Sequence, residues 1–290
     1  MGDVMSKRIK KHIADKDVYQ SLPQTRKQVF FDLLKNRKMT LLSLSFMSFM
    51  FFIPLAVDLF YFNFLEAAAI EAGKDEYLFS LIFYSMAILV PCMAIGFIGL
   101  GGAFNAAKKI VWQEGAMLSV NFFNGIKDNW LHSLVNGFIF GIITFGLVVG
   151  SSYLIIYSPV APVVTGIGIG ALILIFLTFG MVFVTFFAQD VYYQNPYRIT
   201  FKNSFAMLGL LNWRILVTYL LSTAALVALC AINFITMVIG FALFAILNSL
   251  VVIIYTLIAH DGFDKFINKD HYPEMVGRGL YKVNDDKKEI

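Results

Sequence analysis

Six apolar stretches, near 40–62, 77–100, 130–157, 163–187, 213–232 and 236–259, constrain this chain more than any motif in it. A helix needs about 20 apolar residues to cross the hydrocarbon of a bilayer, and every backbone N–H and C=O there must be satisfied within the structure. The pattern therefore calls for membrane-spanning helices rather than one large soluble core. Composition agrees, with 59% hydrophobic and only 14% charged residues. Only Asn233 and its neighbours separate the last two stretches, so five spans is the alternative that topology has to settle.

Charge placement favours six. Basic residues concentrate in cytoplasmic loops. With six spans and a cytoplasmic N-terminus, all of the 23 Lys and Arg residues except Lys74 fall on the inner side. The loop carrying Lys74 also holds Glu66, Glu71, Asp75 and Glu76, as a translocated loop can. No short apolar core with a small-residue cleavage site precedes the first span, so no cleavable signal peptide is expected. The opening MGDVMS, with Gly2 and Ser6, fits an acylation pattern of low specificity. The net charge of +4 is spread over span ends, and nucleic acid is not an expected partner.

A polar-aromatic run sits before the third span and recurs elsewhere. FFDLLKNRKMTLL from Phe30 aligns with FFNGIKDNWLHSL from Phe122, with Phe30/Phe122, Phe31/Phe123, Lys35/Lys127 and Leu42/Leu134 identical. A weaker copy, FKNSF, starts at Phe201 and includes Lys202; its tryptophan, Trp213, falls about one helical turn later than Trp130 would place it. Ser21 as cap and Pro23 in the first turn open a helix that puts Val29, Phe30, Leu33 and Leu34 opposite Arg26, Lys27 and Lys35; Asn195 and Pro196 do the same in the third copy. The expected fold is all-α and polytopic. It has six transmembrane helices as three parallel hairpin repeats (about 23–100, 115–187 and 196–259), each preceded by a cytoplasmic amphipathic surface helix. A basic arm, 1–22, precedes them, and a polar cytoplasmic tail, 260–290, follows as an exposed appendage.

Ionisable and polar groups inside spans each demand a role. Asp58 is expected near the outer end of span one, either as a coupling-ion site or as an interfacial acid beside Tyr61. Lys108 and Lys109 are expected to snorkel to headgroups. His132, Asn136 and Asn248 are expected to hydrogen-bond neighbouring helices. Gly137/Gly141 and Gly146/Gly150 form GxxxG pairs, and Gly166, Gly168 and Gly170 line span four, all read as close helix packing or an oligomer interface. Cys92 and Cys230 read as small buried hydrophobes, and the four histidines show no metal-ligand spacing. No nucleophile–base set or phosphate loop is present, so no enzyme activity and no cofactor are expected.

From Gly99, GLGGAFNAAKKIVWQEGAMLSVNFFNGIKDNW resembles the YesL-like family of bacterial integral membrane proteins, as does the opening of span one with Asn36 and Pro54. The resemblance implies a multi-pass protein of the bacterial cytoplasmic membrane that serves ABC-type carbohydrate uptake as an accessory. Its expected partners are the lipid bilayer and permease or ATPase subunits. The candidate contact residues are Phe30, Phe31, Lys35, Phe122, Phe123, Lys127, Trp130, Lys202 and Trp213. The competing expectation is a small-molecule transporter or channel with a path between the hairpins, using Asp58.

Overall fold

The computed structural model describes residues 22–74, 77–114, 117–156 and 162–281. The Gly2–Ser6 pattern, His12, Ser21 and the closing DDKKEI lie outside the described residues. Every regular element described is helical. Helix α1 covers Arg26–Asn36; α2, Lys38–Phe49, runs through a 3₁₀ turn into α3, Ile53–Glu71. Helices α4, Leu78–Val111, α5, Leu118–Ile156, and α6, Pro162–Tyr193, follow. Then come α7, Tyr197–Tyr219, a π turn, α8, Ala225–Ile232, and α9, Phe234–Phe263. A second π turn, Asp264–Asn268, joins α9 to α10, Lys269–His271.

Five of these rods, Lys38–Glu71, Leu78–Val111, Leu118–Ile156, Pro162–Tyr193 and Phe234–His271, are long and apolar enough to cross a membrane. The pair Tyr197–Leu211 and Trp213–Leu229, bent by 97°, makes a sixth if it counts as one span. Local sequence explains the breaks. Pro54 lacks an N–H and its ring crowds the preceding turn, which accounts for the tighter turn at Met50–Phe52. Asn233 caps α9 by accepting from the Thr236 N–H at 2.9 Å, and the Thr236 hydroxyl accepts from the Asn233 N–H in return.

Successive helices pack antiparallel, as the paired contacts show. Along α4 and α5, Asn105 meets Gly125, Ala94 meets Gly137 and Val90 meets Gly141. Along α6 and the part of α7 before its bend, Phe186 meets Tyr197, Phe183 meets Phe201 and Phe179 meets Phe205. Along α7 to α9, Leu211 meets Gly262, Arg214 pairs with Asp261 at 2.7 Å, and Ser222 meets Tyr255 at 3.1 Å. The chain therefore runs antiparallel beside the 255–262 part of α9 before α9 begins. On the other side of α9, Ser45 donates to the Ile246 carbonyl and Asn248 donates to Ser48 at 2.8 Å, joining it to α2.

The bundle has two ends. The distal end gathers Phe60 with Phe234 and Phe79 with Tyr153. The proximal end gathers both described termini, where the Tyr281 N–H donates to the Pro23 carbonyl at 2.9 Å.

Several expectations need correction. Helix α1 starts at Arg26 with Thr25 as its cap, in a capping box with Gln28, and Pro23 lies before it. Asn195 does not cap α7; Pro196 holds that position without a side-chain bond. Arg26 does not join Lys27 and Lys35 in solvent, because Asp264 draws its guanidinium inward at 2.8 Å. The Phe122–Trp130 run forms the first turns of one 39-residue helix with span three, with no break between them. Lys108 does not snorkel: it is buried and its ammonium donates to the Val191 carbonyl. Of the GxxxG and span-four glycines, Gly137 and Gly141 bring helix backbones together, while Gly146, Gly166 and Gly170 face open space.

The described part of the expected tail, 260–281, is not an exposed appendage either. His260, Phe263 and Asn268 are buried. Asn268 donates to Tyr192 and accepts from Tyr193, fixing the π turn against the end of α6. Beyond it the chain folds back over the end of α4. Gly279, at φ +81°, sits so close to the Val111 carbonyl that a side chain would collide there. The Arg278 guanidinium lies 4.0 Å from the Trp112 ring centroid and 2.8 Å from Glu114, which Lys109 also reaches at 2.5 Å.

Burial pushes the Glu114 carboxyl up, but the hydrogen bonds and charges of Lys109 and Arg278 outweigh it and hold the group below its ordinary 4.5. A lowered folded-state value means its contribution is complete above the ordinary glutamate range and is lost as pH falls through the folded value. Acidification into that range is therefore expected to loosen this strap. In a protein with Trp130 and Trp213 replaced by Phe, Trp112 fluorescence should change there, and Glu114→Gln should remove the transition.

Candidate functional site

The proximal end carries the residues on which a functional reading rests. Repeated sequence takes the same local form in the first two copies. The ring pairs Phe30/Phe31 and Phe122/Phe123 are edge-to-face at 5.6 and 5.5 Å. In each the first ring turns toward the core and the second is exposed, Phe122 at 1% against Phe123 at 58%. A helix that buries one face must expose the residue one position on, about 100° around the axis. Lys35, Lys127 and Lys202 are exposed, as are Trp130 and Trp213. These side chains present apolar rings and ammonium groups together at the chain's proximal end.

A polar recess lies on the same end. Its volume is about 390 Å³ and its lining is Asp128, Asn129, His132, Asp190, Gln194 and Asn195. Asp128, Asn129 and His132 share one side of α5 at one-turn spacing. Asp190 comes from the last turn of α6. Gln194 ends that helix with φ 53°, a left-handed closing residue where glycine is commoner, and brings Asn195 round.

At its centre His132 Nδ1 lies 2.8 Å from Asp190 Oδ1. An ionised carboxylate only accepts, so Nδ1 carries the proton and Nε2 is left as an acceptor in the neutral ring. Asp190 is 1% exposed, and its Oδ2 has no partner among the described residues. One turn along α5, Asn136 accepts from the Tyr197 hydroxyl at 2.8 Å, and Tyr197 packs on the His132 ring. The Asn136 Nδ2 and Gln189 Nε2 donors are buried without partners among the described residues.

No family model, curated protein or solved structure matches this chain. Its own geometry therefore carries the reading.

Two of the expected intramembrane polar residues, His132 and Asn136, come together here; the other two lie elsewhere. Asn248 binds Ser48 on α2. Asp58 is buried between α3 and α4 with the Ser85 hydroxyl donating to it at 3.3 Å, while Tyr61 is exposed. Asp190 is the residue that sequence reasoning missed. It follows Phe186, Phe187 and two further residues, and ending the span at 187 assigned it to a connector. The signal available was helical spacing: Asp190 stands four residues beyond Phe186 and three beyond Phe187, on the buried side they define. Among the described residues no group of His, Cys, Asp and Glu is arranged to hold a metal.

Proposed function

We propose that this chain is a non-enzymatic accessory protein of a bacterial cytoplasmic membrane, with six transmembrane passes and both termini in the cytoplasm. It docks through the exposed aromatic and basic residues of its proximal end on permease or ATPase subunits of an ABC-type carbohydrate importer. The observation that carries this reading is the repeated split of the Phe pairs, one ring anchored and one presented, beside exposed Lys35 and Lys127. Aromatic rings with adjacent cations are the side chains that interfaces enrich, and an anchored helix holds them without loss of further conformational freedom.

Contacts of α7 and the π turn after it with α9 support a sixth pass, and the concentration of Lys and Arg in the segments that six passes put on one side supports cytoplasmic termini. The inward lean of Phe30 and Phe122 supports the repeat. The association with carbohydrate uptake rests on the YesL-like resemblance of residues 99–130.

The test is recovery of the importer after mild crosslinking in native membranes. Lys127→Glu with Trp130→Ala should reduce recovery of permease and ATPase subunits by about tenfold, because two interface-type anchors are lost together. Unchanged recovery would sink the docking reading.

A further inference from the structure

We propose that the recess between α5, α6 and the Gln194–Asn195 turn binds a primary ammonium group. This inference is independent of docking. The donor and acceptor inventory carries it. Asp190 lines the recess, is 1% exposed, and leaves Oδ2 without a protein partner, so an acceptor that has lost its water must find a donor. His132 directs Nδ1 at Asp190 Oδ1, so only the second carboxylate oxygen remains free for a ligand. Asp128 adds a second carboxylate one turn from His132, and Asn129, Gln194 and Asn195 add amide oxygens. No lysine or arginine lines the space, and the buried Lys108 is committed to the Val191 carbonyl.

An acceptor-rich, negatively charged recess selects a compact cation with several N–H donors. A primary ammonium has three in a tetrahedral fan, enough for Asp190 Oδ2, Asp128 and an amide oxygen. A quaternary ammonium has none, and it is recognised by aromatic faces, which this lining lacks. A divalent metal is disfavoured because the His and Asp groups are not set at coordinating geometry. The same group is available from an ethanolamine headgroup, since Asp190 stands about one turn past the last apolar residues of its span, or from a free amine in solution.

The experiment measures the unfolding midpoint of the full chain in nanodiscs of phosphatidylcholine alone, or of phosphatidylcholine mixed equally with phosphatidylethanolamine. Ethanolamine, choline or calcium is titrated into the former. A rise in the mixed discs alone identifies the headgroup as the source; a saturable rise with ethanolamine in phosphatidylcholine discs identifies a free amine. In either case Asp190→Asn should weaken the effect by about tenfold or more, as loss of a charge-assisted hydrogen bond does, and choline should have none. Asp128→Asn, whose side chain is exposed, gives a weakening of a few-fold that does not depend on the buried site folding without its carboxylate. No rise with either amine, an equal rise with choline, a rise with calcium instead, or an undiminished rise in both variants would overturn the proposal.

Discussion

Gly137→Leu is expected to prevent assembly of the α4–α5 hairpin, at a cost of about 3 kcal/mol or more. A Cβ at this position would lie 2.5 Å from the Ala94 Cα and 2.8 Å from the Met93 carbonyl oxygen. Both are backbone atoms of a helix, so no rotamer change relieves the clash; the two helices have to separate. Separation would also strip Phe97 from Phe140, whose tilted rings pack at 5.5 Å across the same interface. Gly146→Ala makes the contrast: nothing lies within 4 Å of its Cβ, and alanine suits a helix better than glycine by about 0.5–1 kcal/mol. Unfolding in mixed micelles should therefore show loss of the folded form for one variant and a small gain for the other, although both glycines sit in the same sequence motif. Equal behaviour of the two would mean that α4 and α5 do not meet as described.

His132→Ala is the second large effect, expected to cost about 3 kcal/mol. The substitution removes the only described partner of a carboxylate that is almost fully buried, leaving both Asp190 oxygens unsatisfied. Most of that cost belongs to the stranded charge, not to the bond itself. Adding Asp190→Asn to His132→Ala should therefore restore a large part of the lost stability, about half or more. Additive losses in the double variant would show that the two residues do not interact, and would remove the recess as a unit.

The spans were legible because the bilayer leaves helices little choice: the apolar stretches mark the rods to within a few turns. Their ends were not, because polar residues continue helices once protein replaces lipid around them. Val111, Tyr193 and His271 all lie well beyond the apolar limits, where Tyr192 packs on Trp112 and both Tyr192 and Tyr193 hydrogen-bond Asn268. The polar cluster was half legible. His132 and Asn136 share a helix face at a spacing that sequence reveals. Asp190 comes from 58 residues away, and only packing shows that it meets them. Lys108 misled for a physical reason. A lysine at a span end has the reach to snorkel, but the α6 carbonyl of Val191 lies within that reach. The glycine motifs show the same limit. Spacing identifies a smooth helix face, and only the neighbouring helix decides whether that face is used.

Labelling of introduced cysteines with a membrane-impermeant maleimide tests the six-pass, cytoplasmic-face account most directly. Cys92 and Cys230 are first replaced, and single cysteines are placed at Lys74, beyond the distal end of α3, and at Lys127, on the proximal face of α5. The account predicts that Lys74→Cys reacts in intact cells and that Lys127→Cys reacts only after the membrane is opened. Reaction of both from the same side, or of Lys127→Cys alone in intact cells, would contradict it.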